Sequence, residues 1–285
     1  MRPAYITDQF LQQFITSAFA EDVGDGDHST LASIPASATH KARLLVKQDG
    51  IIAGVELAEI IFRHFDSSLK VSGSISDGQP VKKGDVAFVV EGSARSILTC
   101  ERLVLNCMQR MSGIATYTRY LSGLIAGTHA RLLDTRKTTP NFRLLEKWAV
   151  IIGGGLNHRI GLYDMIMLKD NHVDMAGGIA QAINQTKEYL RATKKNLRIE
   201  IETRNLEEVK AVLETSGVDV IMLDNMSTAD MKQAVALIAG KYQTEASGGI
   251  TDETIRAVAE TGVDFISVGA LTHSIKSMDL SLKAF

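Results

Sequence analysis

The second half of the chain keeps one rhythm: an apolar run that ends in a polar residue or glycine, then a capped amphipathic segment, then the next apolar run. The runs cover residues 130–133, 165–168, 197–201, 218–223, 242–246 and 265–268. Their ends are spaced by roughly 20 to 35 residues, the period of a strand followed by a crossover helix rather than of a solenoid repeat. Helix starts are marked by Asn205 with Glu208 three residues later, by Ser227 or Thr228, and by Thr251, all residue types whose side chains satisfy the first free N–H groups of a helix. Short parallel strands with helical crossovers predict a (β/α) barrel, here over residues 114–285.

Upstream the pattern differs. Residues 6–19 place Phe10, Leu11, Phe14, Ile15, Ala18 and Phe19 at helical spacing, with Asp8 as a cap and Gly24 beyond the end. Between residues 41 and 97 short β-like runs, such as 42–46 and 86–90, are broken by Asp49-Gly50, Asp77-Gly78 and Lys83-Gly84 turns. A small α/β domain over residues 1–113 is the expectation. A long helix at about 96–127, interrupted at Gly113, links it to the barrel. A chain of 285 residues with 45% hydrophobic content has material for one large core and a smaller one.

Charge and cysteine usage exclude several classes of function. A formal net charge of -2 gives no field to attract nucleic acid or an anionic membrane. No apolar run approaches a membrane span, and Asp8, Gln12 and Gln13 interrupt anything like a signal peptide. Cys100 and Cys107 share one helix face and are too far apart along it for a disulfide, so a reduced, cytoplasmic protein is expected.

In a barrel the residues just after each strand converge on one rim, however distant in sequence. This rim carries Asp134, Thr135, Arg136 and Lys137, then Lys169 and Asp170, then Glu202, Asp224, Ser247-Gly248-Gly249 and Gly269, with Gly153-Gly154-Gly155, His158 and Arg159 in the loop after the first strand. Arg136, Lys137, Arg159 and Lys169 crowded together are costly unless a polyanion binds; the bland alternative is that single members pair with Asp134, Asp164 or Asp170 as scaffold. The glycines at 248, 249 and 269, with the helix after Thr251, suit a phosphate, although Ser-Gly-Gly alone is also just a tight turn. His273 either donates to the same phosphate or is a plain surface residue. Glu202 and Asp224 suit ribose hydroxyls, a hydrated magnesium ion, or positive charge developing on a sugar ring. Glu200 points to the same side as Glu202 and is the residue most easily mistaken for a functional one. Lys169 also admits a Schiff-base reading.

The blocks Asp134-Thr135-Arg136-Lys137-Thr138-Thr139-Pro140, Gly153-Gly154-Gly155-Leu156-Asn157-His158-Arg159 and Leu168-Lys169-Asp170-Asn171-His172, with Glu21-Asp22-Val23-Gly24-Asp25-Gly26-Asp27, Glu101-Arg102 and Ser112-Gly113-Ile114-Ala115-Thr116, resemble the quinolinate phosphoribosyltransferase branch of the type II phosphoribosyltransferases. The resemblance spans nearly the whole chain. His28, Asn141-Phe142 and Trp148 depart from the family pattern without touching a proposed contact.

The resemblance implies an open (β/α) seven-stranded barrel with an N-terminal α/β sandwich domain whose partner copy's barrel it covers, in a homodimer or a larger assembly. It implies a reaction of phosphoribosyl pyrophosphate with quinolinate that yields nicotinate mononucleotide, pyrophosphate and carbon dioxide. Lys137, Lys169, Glu202 and Asp224 would be catalytic. Arg102, acting in trans, would join Arg136, His158 and Arg159 at the quinolinate carboxylates, with Thr135 beside them. Ser247, Gly248, Gly249, Gly269, Ala270 and His273 would take the 5-phosphate. Mg2+ would come mainly through the substrate pyrophosphate and water. The rivals are a related enzyme acting on nicotinate, a silent sensor of phosphoribosyl ligands, and an aldolase using Lys169.

Overall fold

The computed structural model describes residues 2–285. In chain order the elements are α1 (Asp8–Val23), α2 (His28–Ser33), β1 (Thr39–Val46), β2 (Gly50–Ile51), α3 (Val55–Phe65), β3 (Lys70–Ser72), β4 (Pro80–Val81), β5 (Val86–Ser93) and α4 (Ala94–Leu124). They continue with β6 (Arg131–Leu133), α5 (Arg143–Gly153), β7 (Ile166–Leu168), α6 (Asp170–Ala176), α7 (Ile179–Thr193), β8 (Ile199–Thr203), α8 (Leu206–Thr215) and β9 (Val220–Asp224). The last are α9 (Thr228–Ile238), β10 (Gln243–Ser247), α10 (Ile255–Ala259), β11 (Phe265–Ser267), α11 (Ala270–His273) and β12 (Leu280–Ala284). The chain divides into two compact units. One takes the residues up to Arg119, Thr138–Gly154 and Ala270–Phe285; the other takes Tyr120–Lys137 and Gly155–Gly269.

The first unit is built on an antiparallel sheet of order β12-β1-β5-β3, with β2 and β4 paired separately. Alternation along β1 buries Ala42, Leu44 and Val46, one face of a two-residue period. Against that core α3 turns a stripe of Val55, Leu57, Ala58, Ile61 and Phe62. Its first N–H groups are satisfied from a distance, because Asp77 accepts from Val55 N at 2.9 Å and from Glu56 N at 3.3 Å. The cap of α1 is Thr7, whose hydroxyl accepts from Phe10 N at 3.1 Å. Asp8, expected to cap, is instead the first helical residue, where its charge faces the positive end of the helix.

Gly113 does not interrupt α4, which runs unbroken through it. The reason for a glycine there is packing: a Cβ would run into the carbonyl oxygen of Lys276 and lie 2.9 Å from Ile275 Cγ2. Cys100 and Cys107 on this helix are free and buried, and burial pushes both thiols up to about 12.

The second unit is a parallel sheet of order β6-β11-β10-β9-β8-β7. Of the seven barrel positions expected, six are strands, and the seventh is a single parallel bridge between Leu133 and Leu156 at the outer side of β6. All five residues of β8 are buried. Ile199, Ile201 and Thr203 share one face of that strand while Glu200 and Glu202 share the other, so its polar side chains are turned together. At the starts of the strands, carboxylates tie neighbours together: Asp219 accepts from Ile199 N and Asp264 from Thr244 N, each at 2.7 Å. That end of the barrel is a stability face, and the opposite end is free to bind ligand. Asn205 and Ser227 cap α8 and α9 through Glu208 N at 2.9 Å and Asp230 N at 3.1 Å. Thr251 caps nothing: α10 starts at Ile255 and is five residues long. Thr251 N instead donates to Thr254 Oγ1 at 2.9 Å, closing a turn.

Candidate active site

The C-terminal ends of the parallel strands enclose a cavity of about 650 Å³ lined by Thr135, Arg136, Lys137, His158, Arg159, Lys169, Glu202, Asp224, Ser247, Gly248 and Gly249 from the expected set. Met167, Asp170, Met222, Asn225, Glu245 and Ser267 complete it. Arg102, Gly269, Ala270 and His273 are not among the lining residues. Arg102 is on α4, 62% exposed and paired with Glu101 at 3.3 Å. His273 is exposed, its Nδ1 2.6 Å from Ser274 Oγ.

Each group is held by its local backbone. Asp134, fully buried at the end of β6, accepts from His158 N at 2.8 Å and Asn157 Nδ2 at 2.6 Å, so it fixes the loop that carries His158 and Arg159. Asp164 accepts from Ile160 N and Gly161 N at 2.7 and 2.8 Å and braces the far side of the same loop. These acids therefore hold the loop that carries His158 and Arg159. Lys169 does pair with a carboxylate: its Nζ lies 2.8 Å from Glu202 Oε1, while Glu202 Oε2 accepts from Asp170 N at 3.3 Å.

Arg159 is 9% exposed, and its Nε is buried without a hydrogen-bond partner. Burial and the neighbouring Arg136 cation pull its guanidinium below the ordinary value, against opposing pulls from Glu200, Asp164 and Glu202. A buried cation pressed by another cation, with a donor unspent, is a site prepared for an anion.

Gly248 and Gly249 both have positive φ, +90° and +61°. A Cβ on Gly248 would collide with the Asn225 side chain, whereas the space above Gly249 is open. This turn presents backbone to the cavity as a phosphate needs. With α10 starting at Ile255, the expected help from a helix end beside Thr251 falls away.

His158 borders the cavity, yet its polar atoms are engaged in the wall. Nδ1 accepts from Arg159 N at 2.6 Å. Nε2 lies 2.8 Å from Glu200 Oε2 and 3.5 Å from Glu245 Oε2, in a bent approach rather than an in-line hydrogen bond. Glu200, the expected decoy, is thus part of the wall. Glu245 escaped the sequence reading because it lies inside an apolar-looking run; its signal was the alternation Gln243, Glu245, Ser247, which puts a carboxyl on the same side as the glycine turn.

Residues 27–112 match the family description "Quinolinate phosphoribosyl transferase, N-terminal domain" and residues 114–283 match the corresponding C-terminal domain. The chain is similar to quinolinate phosphoribosyltransferase (decarboxylating) 1b of Nicotiana tabacum, 49% identical over 96% of this chain and 82% of the relative. It is equally similar, over the same shares, to the chloroplastic nicotinate-nucleotide pyrophosphorylase (carboxylating) of Arabidopsis thaliana. Among solved structures, the nicotinate-nucleotide pyrophosphorylase of Francisella tularensis superposes with a TM-score of 0.91 at 39% identity, covering 98% of each chain. Two domain matches that together reach from residue 27 to residue 283, with relatives at 49% identity, mean that this chain belongs to the quinolinate phosphoribosyltransferase family.

Proposed function

We propose that the barrel cavity transfers phosphoribosyl from phosphoribosyl pyrophosphate to quinolinate, releasing pyrophosphate and carbon dioxide and leaving nicotinate mononucleotide, as a step of NAD biosynthesis. The observation that carries this reading is the buried, unpartnered Nε of Arg159 next to the Arg136 charge, in a cavity that also holds Lys137, Lys169, Glu202 and Asp224. The cations suit the acceptor's two carboxylates and the leaving diphosphate. The carboxylates suit ribose hydroxyls and the positive charge that builds at C1 as the diphosphate departs. The pyridine nitrogen captures C1, and once quaternised it draws the electrons of the adjacent C–CO2 bond, so that carboxylate leaves as carbon dioxide and the ring carbon left with the electron pair takes up a proton from water. Lys137 and Lys169 neutralise the departing oxygens, and the Ser247-Gly248-Gly249 turn holds the 5-phosphate.

Magnesium fits this site as a passenger of the substrate. Both Glu202 oxygens are engaged, and among the described residues the only three-ligand convergence is His158, Glu200 and Glu245, which lies in the wall. A hydrated ion carried by the diphosphate would find its protein carboxylate at Asp224; when bound it supplies charge neutralisation of the leaving group.

The assembly we infer is a homodimer, with Arg102 serving in trans. Exposed Leu162, Tyr163 and Met175, at 72, 70 and 87%, and the exposed Arg102 support it. Two free buried thiols fit a reducing compartment, and we place the enzyme in the cytoplasm. No helix among the described residues is long and apolar enough to cross a membrane.

The deciding experiment incubates the protein with magnesium, phosphoribosyl pyrophosphate and either quinolinate or nicotinate, and follows mononucleotide and carbon dioxide by mass spectrometry. Product from quinolinate alone is expected, because nicotinate would leave buried cations unpaired. Product from nicotinate alone would overturn the carboxylate assignments, and no product would favour the sensor. The aldolase reading is disfavoured by the Lys169–Glu202 pair, since an ammonium held by a carboxylate has no lone pair for a carbonyl.

A further inference from the structure

In the cavity wall two carboxyl groups come together, Glu245 in the lining and Glu200 against His158. Glu200 and Glu245 are each 1% exposed. Both Glu200 oxygens and Glu245 Oε1 are buried with no hydrogen-bond donor in line. An oxygen of each glutamate lies within 4.8 Å of the other, and Ser267 lines the same cavity as Glu245. Buried oxygens without donors are costly, and two buried carboxylates side by side are costlier still. Something must stand between them.

A divalent cation is one candidate, since His158 Nε2 and an oxygen of each glutamate lie within 4.8 Å of one another. The imidazole argues against it. Nδ1 accepts the Arg159 N–H, so the hydrogen-bond network assigns the ring proton to Nε2, the atom a metal would need as a lone pair. The remaining candidate is a proton.

We propose that Glu200 and Glu245 share one proton, with Glu245 as the neutral donor and Glu200 as the carboxylate, and that this pair, closed by His158 and Ser267, is the positioning unit for Arg159. Burial, and then the Glu200 charge, hold the Glu245 carboxyl well above the ordinary range. The chain runs from Ser267 to Glu245, from Glu245 to Glu200, across the 2.8 Å contact to His158, and from His158 Nδ1 to the backbone N–H of Arg159. It fixes the Arg159 backbone directly, and the pair itself then sets one negative charge near the guanidinium rather than two. His158 thereby acts through Arg159 rather than on substrate, which refines the role that the family resemblance gives it. This inference rests on the proposed acceptor for its kinetic consequence but not for the existence of the pair.

The test has two independent arms. Infrared difference spectra of wild type against Glu245→Gln at neutral pH should show the carbonyl stretch of a protonated carboxyl group, shifted in deuterium oxide and absent from the variant. In steady-state assays Glu245→Gln should keep kcat and both KM values within about threefold, because an amide donates the same hydrogen bond to Glu200. Glu245→Ala should raise KM for quinolinate by about tenfold or more with KM for phosphoribosyl pyrophosphate nearly unchanged. The pair is refuted if wild type lacks the band, if Glu245→Gln is as impaired as Glu245→Ala, or if purified wild type holds one divalent ion per chain that Glu245→Gln loses. Should Glu245→Ala not fold, the spectra and Glu245→Gln still decide. Failure of the protein to turn over quinolinate at all would strike the acceptor assignment and leave the spectral result standing.

Discussion

The cations and the carboxylates of the cavity are positioned differently. Arg136, Lys137 and Arg159 stand on loops that follow β6 and the Leu156 bridge, and Lys169 sits where β7 gives way to α6. Glu200, Glu202, Asp224 and Glu245 belong to β8, β9 and β10, three adjacent strands of one sheet. Register locks the second group: Glu202 and Glu245 both pair with Met222, one from each side. The cations depend on loop braces such as Asp134 and Asp164. A pocket with a rigid acidic wall and a braced basic rim can keep the ribose fixed while the anionic groups on either side of it come and go.

Substitutions can break that contrast or sharpen it. Lys137→Ala and Lys169→Ala should each lower kcat by about a hundredfold to a thousandfold, the scale of losing one stabilising group at a developing charge; unchanged kcat would remove the basic rim from the chemistry. On the wall side, Glu202→Gln should lower kcat by about a hundredfold with the melting curve little altered, since an amide still accepts from Asp170 N. A collapse of the fold instead would mean that the wall is structural. Gly248→Ala, which forces a Cβ onto Asn225 at φ +90°, should raise KM for phosphoribosyl pyrophosphate by roughly tenfold and leave KM for quinolinate close to wild type. Equal effects on both would show that the turn shapes the whole cavity.

The smallest effect is a pH dependence. Folded Glu245 keeps its proton at pH values where the unfolded chain, with a carboxyl near 4.5, has released it. Stability therefore falls as pH rises above that value toward the raised folded one, by up to about 1.4 kcal/mol per pH unit for one proton. Glu245→Gln should lack this slope, so its denaturant midpoint should gain on wild type between about pH 5 and about pH 7. Parallel curves would assign the proton elsewhere.

The basic rim was legible in the sequence because residues that follow a strand announce themselves: the apolar run stops and a charge stands there, as at Arg136, Lys137 and Lys169. Glu202 was read as lying just past its strand and is in fact inside it. Glu245 was invisible for the same reason in stronger form, since only the pleat of β10 tells that a charge within a strand faces the cavity. Gly113 and Thr251 were misread because local propensity cannot see the Lys276 carbonyl that demands a glycine or the turn that delays α10. Arg102 carries no local mark at all, being an exposed helical residue beside its own Glu101.

The sheet of the first unit has an order of events written into it. β1 is flanked by β5 on one side and by β12 on the other, with Ala42 opposite Ala284. During synthesis the barrel strands all emerge before β12 does, so until then β1 offers an open hydrogen-bonding edge. Before β12 joins, the sheet is unfinished, and its open β1 edge is vulnerable to pairing with a neighbouring chain.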